Sequence, residues 1–87
     1  MKIKTGFAKR NIAGADIVVP VGDKSLEFNG MITLKGAGAF LWDCLKEDLT
    51  KEELINKVLD AYDVDREIAT KDVDEFVELL NKNNLLD

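Results

Sequence analysis

Leu26-Glu27-Phe28-Asn29-Gly30-Met31-Ile32-Thr33-Leu34, followed directly by Lys35-Gly36-Ala37-Gly38-Ala39-Phe40-Leu41-Trp42-Asp43-Cys44-Leu45, is where the chain changes its hydrophobic period. In residues 26–34, Leu26, Phe28, Ile32 and Leu34 share one parity, while Glu27, Asn29 and Thr33 take the other. That alternation is the mark of a half-buried strand. Gly30 inside it points to a bulge or a close backbone approach. Past Gly36 the spacing becomes helical: Ala37, Phe40, Leu41, Cys44 and Leu45 fall at i, i+3, i+4, i+7 and i+8. Trp42 falls on the flank of that stripe, and Asp48-Leu49 close the predicted helix. Gly36-Ala37-Gly38 reads as a tight strand-to-helix junction. It resembles a fragment of a phosphate loop, but no Lys-Ser/Thr follows it.

Strand texture precedes this junction and helix texture follows it. Residues 7–12 mix polar and apolar side chains, and Ala13-Gly14 is a turn signal. Ile17-Val18-Val19-Pro20-Val21 is a dense β-branched run. Pro20 cannot donate to a ladder, so it belongs near a strand end or bulge. On the helical side, Thr50-Lys51-Glu52-Glu53 is a capping box, with Leu49 and Leu54 placed as the hydrophobic staple. Leu54, Ile55, Val58, Leu59 and Tyr62 form the apolar face that follows. Asp65 is a good N-cap for a third helix, whose central stripe is Ala69, Val73, Phe76 and Leu80. That helix unwinds over residues 81–84, and Leu85-Leu86 are expected to dock on the core. The order is an α+β, winged-helix-like arrangement: a three-stranded antiparallel meander followed by three helices, as a single domain over residues 1–87.

Composition narrows the chemistry. For 9.7 kDa, area scaling buries roughly 64% of the unfolded surface, enough for one small core. The chain has no His and one Cys, which excludes a Ser-His-Asp triad, a Cys-His pair and an intramolecular disulfide. Cys44 sits in an apolar stripe and reads as a buried small hydrophobe. The acids of the second half fall mainly on outward helix faces, and Asp60, Asp63 and Asp65 read as helix termination and capping. No catalytic, cofactor or metal constellation emerges. Residues 1–44 carry +2 and residues 45–87 carry −7, together the −5 of the chain. The acidic half repels phosphate, so neither nucleic acid nor an anionic membrane is an expected partner. The N-terminal residues lack an apolar signal region, and one unpaired Cys suits a reducing compartment, so a cytoplasmic location is expected.

Two features exceed what a bare core needs. The strand at 26–34 is last in the meander, so one of its edges can template another extended chain. The third helix has a broad apolar arc, with Ile68 and Leu79 on one flank and Val77 on the other, bordered by Asp72, Glu75 and Lys82. Together they could frame a groove for β-strand addition; the equal alternative is an edge covered by a terminus or by a dimer partner. Two other classes share the outline. One is a winged-helix DNA-binding regulator, disfavoured by Asp72, Asp74, Glu75 and Glu78 on the third helix. The other is a small dimer that pairs or swaps its own edge, against a monomer.

Several segments carry a family resemblance over about residues 7–86. Met31-Ile32-Thr33-Leu34 with Ala37-Gly38-Ala39-Phe40-Leu41-Trp42 resembles the strand-to-helix segment of PqqD-like proteins. Thr50-Lys51-Glu52-Glu53-Leu54 and Tyr62-Asp63-Val64-Asp65 resemble that family's second helix and turn. Asp72-Val73-Asp74-Glu75-Phe76-Val77 and Asn84-Leu85-Leu86 resemble its closing helix. Lys35 replaces the family's usual cap residue, and Asn84 replaces its usual Gly. The resemblance implies a RiPP recognition element, a non-catalytic peptide chaperone here in stand-alone form. Such a domain binds the leader region of a ribosomally made precursor and presents it to a modifying enzyme, often a radical SAM enzyme. It implies backbone pairing by Phe28, Asn29, Gly30, Met31, Ile32 and Thr33, and side-chain contacts from Asp72, Glu75, Phe76 and Leu79.

Overall fold

The computed structural model describes residues 1–22 and 32–87. The chain runs β1 (Phe7–Ile12), β2 (Ala15–Pro20), β3 (Ile32–Leu34), α1 (Gly38–Cys44), α2 (Lys51–Ala61) and α3 (Arg66–Lys82). The strands form an antiparallel sheet in the order β1-β2-β3, so the α+β order read from the sequence holds. The first part of the 26–34 strand, with the expected bulge at Gly30, lies outside the described residues.

β1 and β2 are joined by Ala13-Gly14 alone, with Ile12 opposite Ala15. Both loop residues have positive φ, 52° and 83°, as a two-residue turn matched to sheet twist requires. Pro20 is the last residue of β2, where its missing N–H leaves no gap inside the ladder. Lys9, Val18 and Ile32 lie side by side across the sheet. Val18 and Ile32 are buried, and Leu34 follows them into the core. Lys9 covers this face with its stem while its Nζ donates to Asp43 Oδ2 on α1 at 2.8 Å.

Against that face the helices close the core. The capping box is complete: Glu53 N–H donates to Thr50 Oγ1 at 3.1 Å, and Thr50 N–H donates to Glu53 Oε1 at 3.0 Å. Leu49 and Leu54, the staple pair, are both buried. Asp65 Oδ1 accepts from Ile68 N–H at 2.9 Å and starts α3. The predicted stripe Ala69, Val73, Phe76 and Leu80 is the buried face of α3. That helix continues to Lys82, beyond the predicted unwinding, because a Schellman motif finishes it. Leu85 N–H donates to Leu80 O at 2.9 Å and Asn84 N–H to Asn81 O at 3.1 Å. Asn84 takes the left-handed conformation at φ 57° in place of glycine. Leu85 is fully buried, as its docking required.

α1 differs from the sequence reading in phase and length. Its buried residues are Gly38, Leu41 and Trp42, with Leu45 next, so Trp42 is central at 2% exposure rather than on a flank. Phe40 and Cys44 move to the half-buried sides. α1 ends at Cys44 instead of reaching Asp48-Leu49. The cause is the N-terminal segment. In a longer helix Leu49 N–H would donate to Leu45 O. Here Ile3 N–H donates to Leu45 O at 3.1 Å, and Leu49 N–H donates to Met1 O at 2.9 Å. The opposite side of this segment reaches the C-terminus: Lys4 N–H donates to Leu85 O and Asp87 N–H to Lys2 O, both at 2.8 Å. The Met1 ammonium also bonds Asp48 Oδ1 at 2.9 Å, and that bond and its charge hold the Asp48 carboxyl below the usual range. With the folded value depressed, this contribution is complete above the ordinary Asp range and fades as pH falls through the lowered value.

Two substitutions test the local chemistry. Ala13→Asn removes the alanine penalty at positive φ in an exposed turn and is expected to add about 0.5–1 kcal/mol, a rise of several degrees in Tm. Thr50→Ala breaks the capping box and is expected to lose about 1 kcal/mol in urea unfolding, with Thr50→Gly losing less.

Candidate functional site

The junction after β3 shapes the site. Gly36 has φ 56°, and Gly38 N–H donates to Lys35 O at 2.9 Å, turning the chain sharply into α1. α1 has no side-chain cap at Ala37; the turn of backbone replaces the cap that Lys35 does not supply. A Cβ on Gly38 would stand 3.3 Å from Leu34 Cβ and 3.8 Å from Phe76 Cδ1. The bare backbone at this point therefore lets α1 settle between the end of β3 and α3.

A groove of about 370 Å³ opens at that junction. One wall is Thr33, Leu34 and Lys35 with the Gly36-Ala37-Gly38 turn, and the other is Asp72, Glu75, Phe76 and Leu79 of α3. These four α3 positions lie at i, i+3, i+4 and i+7, so one helix face presents them together. Phe76 is buried, Asp72 and Leu79 are half-buried, and Glu75 is exposed. Among the described residues, β3 pairs with β2 and its other side pairs with no strand. The N-terminal segment, which could have covered that edge, instead bridges Ile3 to Leu86.

Of the residues singled out in the sequence, Thr33, Asp72, Glu75, Phe76 and Leu79 share this groove. Ile32 does not line it: its side chain is in the core beside Val18, leaving only its backbone for an incoming chain. Phe28, Asn29, Gly30 and Met31 lie outside the described residues. Leu34, Lys35, Gly36, Ala37 and Gly38 were not singled out as site residues, yet they form most of one wall. The paired glycines at the change of period were the available signal.

A second cavity of about 240 Å³ lies between α1 and α2, lined by Phe40, Asp43, Cys44, Glu47 and Lys57. Phe40 also meets Tyr62 edge-to-face, with ring centroids 5.4 Å apart. Cys44 is half-buried rather than fully buried. Burial raises its thiol pKa; Lys57 opposes the rise, and Asp43 and Glu47 add to it. No helix among the described residues is long and apolar enough to cross a membrane.

A groove with a strand edge on one side and a partly apolar helix on the other has the geometry that admits an added extended segment. Comparison with known proteins agrees at the level of family. Residues 17–86 match the model of the family described as coenzyme PQQ synthesis protein D (PqqD), and the chain belongs to that family. The match begins in β2, so β1 and the N-terminal clasp lie before it. The fold is similar to that of TbiB1, solved in complex with the TbiA(beta) leader peptide. That likeness covers 100% of this chain and 95% of the other, at a TM-score of 0.73 and 23% identity. Among curated proteins none matches the chain.

The raised thiol pKa predicts that Cys44 stays protonated through neutral pH. Iodoacetamide is expected to label the native protein several-fold more slowly than the urea-unfolded chain at pH 7.5. The native rate should keep rising past the ordinary thiol range. Equal rates in the two states would contradict the shift.

Proposed function

We propose that the chain works as one domain, a non-catalytic RiPP recognition element that captures the leader region of a ribosomally made precursor peptide. It holds the leader for a modifying enzyme, as the family resemblance implies, with a radical SAM enzyme the expected partner; the cytoplasm, which a single unpaired Cys suits, is the expected location. The observation that carries this reading is the groove between α3 and the side of β3 that, among the described residues, pairs with no strand. A leader strand adds beside Ile32 and Thr33 through backbone bonds, in a strand that the sequence extends back through Phe28, Asn29, Gly30 and Met31. Asp72, Glu75, Phe76 and Leu79 contact its side chains. Membership of the PqqD family and the leader complex of the structurally similar TbiB1 support the same reading.

The chemistry of α3 argues against the DNA-binding alternative. Its charged residues are Arg66, Lys71 and Lys82 against Glu67, Asp72, Asp74, Glu75 and Glu78. A recognition helix needs the opposite balance to approach phosphates.

The test is a titration of the full chain with the leader half of the precursor encoded beside it. Saturable binding well below about 100 μM is expected, corresponding to more than about 5.5 kcal/mol of binding free energy. On binding, the amides of residues 32–35 that are not already bonded to β2 gain protection from hydrogen exchange. No binding at about 100 μM would overturn the reading, and protection confined to other elements would move the site.

A further inference from the structure

The α3 wall of the groove alternates in chemistry. Asp72 stands four residues before Phe76, and Glu75 stands four before Leu79. With a rise of about 1.5 Å per residue, each acid lies about 6 Å along the axis from its apolar partner. An extended chain presents side chains on one side every second residue, about 6.6–6.8 Å apart. A strand laid along the axis of α3, bearing one charged and one apolar side chain two positions apart, matches this wall.

The two acids are also free to receive a charge. Asp74 pairs with Lys51, and Glu52 pairs with Arg66 at 2.8 Å. Asp72 and Glu75 make no salt bridge or side-chain hydrogen bond among the described residues. Among the described residues that line the groove, Lys35 on the opposite wall is the one cation against Asp72 and Glu75, so this described lining is net negative.

We infer that the groove selects an extended peptide segment carrying a Lys or Arg two residues from a large apolar side chain. The base meets Asp72 or Glu75, and the apolar side chain settles against Phe76 or Leu79. Strand bonds to β3 are indifferent to sequence, so this pair of contacts supplies the discrimination. The inference rests on the leader-binding reading above and specifies what that site accepts.

A display library of random twelve-residue peptides, panned on the full chain, provides the probe. Enriched peptides are expected to share a basic residue two positions from Leu, Ile, Phe or Met, in either chain direction. Replacing that base by Gln in a selected peptide should weaken binding about five- to tenfold, the scale of a charge-assisted contact. Asp72→Asn with Glu75→Gln should weaken the basic peptide by a similar factor, leave the Gln peptide within about twofold, and flatten the salt dependence. A second variant, Asp72→Lys with Glu75→Lys, should enrich acidic residues at the same spacing. Glu75 is exposed and Asp72 is half-buried at the groove, and an unchanged circular dichroism spectrum and Tm verify the fold of each variant. Peptides that bind without the basic-apolar pattern, or that bind the neutralised variant equally well, overturn this inference and leave leader binding intact. A folded protein that enriches no peptide overturns the leader-binding reading and this inference with it.

Discussion

The close approach at Gly38 is the constraint on which the rest of the arrangement depends. β3, the start of α1 and α3 all meet there, and a methyl group in that place would already stand 3.3 Å from Leu34 Cβ. Because nothing projects from Gly38, Leu34 and Phe76 both reach the core from opposite sides of the junction. The groove is the space left above that contact. Its depth is thus set by backbone geometry, and its two walls cannot shift independently of the core.

α3 is consequently shared between two tasks. Ala69, Val73, Phe76 and Leu80 hold the core, while Asp72, Glu75 and Leu79 lie one step around the helix and line the groove. Phe76 belongs to both sets. A change at Phe76 alters the core and the groove wall together, whereas Asp72 and Glu75 line the groove without belonging to the core stripe. In a domain with one small core, the chemistry of the groove is most freely varied at these neighbours of a fixed apolar stripe, half-buried at Asp72 and exposed at Glu75.

Most of the fold was legible because its signals are local. The capping box at Thr50 and Glu53, the Asp65 cap and the α3 stripe each need only residues within one or two turns. The phase of α1 was not legible from spacing. Between Ala37 and Leu45 only Asp43 is charged, so more than one helical stripe fits the sequence. Side-chain volume breaks the tie: burying Trp42 removes more apolar surface than burying Cys44. The N-terminal clasp was illegible for a different reason. Its bonds join Met1 to Leu49, Ile3 to Leu45 and Lys4 to Leu85, across separations that no periodicity records. The α3 wall of the groove followed from helical spacing, while the turn wall needed the three-dimensional junction at Gly38.

The clasp also keeps the N-terminal segment away from the edge of β3. A short N-terminal segment beside a three-stranded sheet has two ways to satisfy its backbone: lengthen the sheet, or pair elsewhere. Here Ile3 pairs with Leu86 and with the end of α1, and its side chain joins the core. The segment thereby caps α1, fixes the C-terminus and keeps away from β3. Had it added to β3, the same bonds would have sealed the groove. The fold secures its own termini on the helical side, so a strand that binds at β3 meets an edge that the N-terminal segment has not occupied.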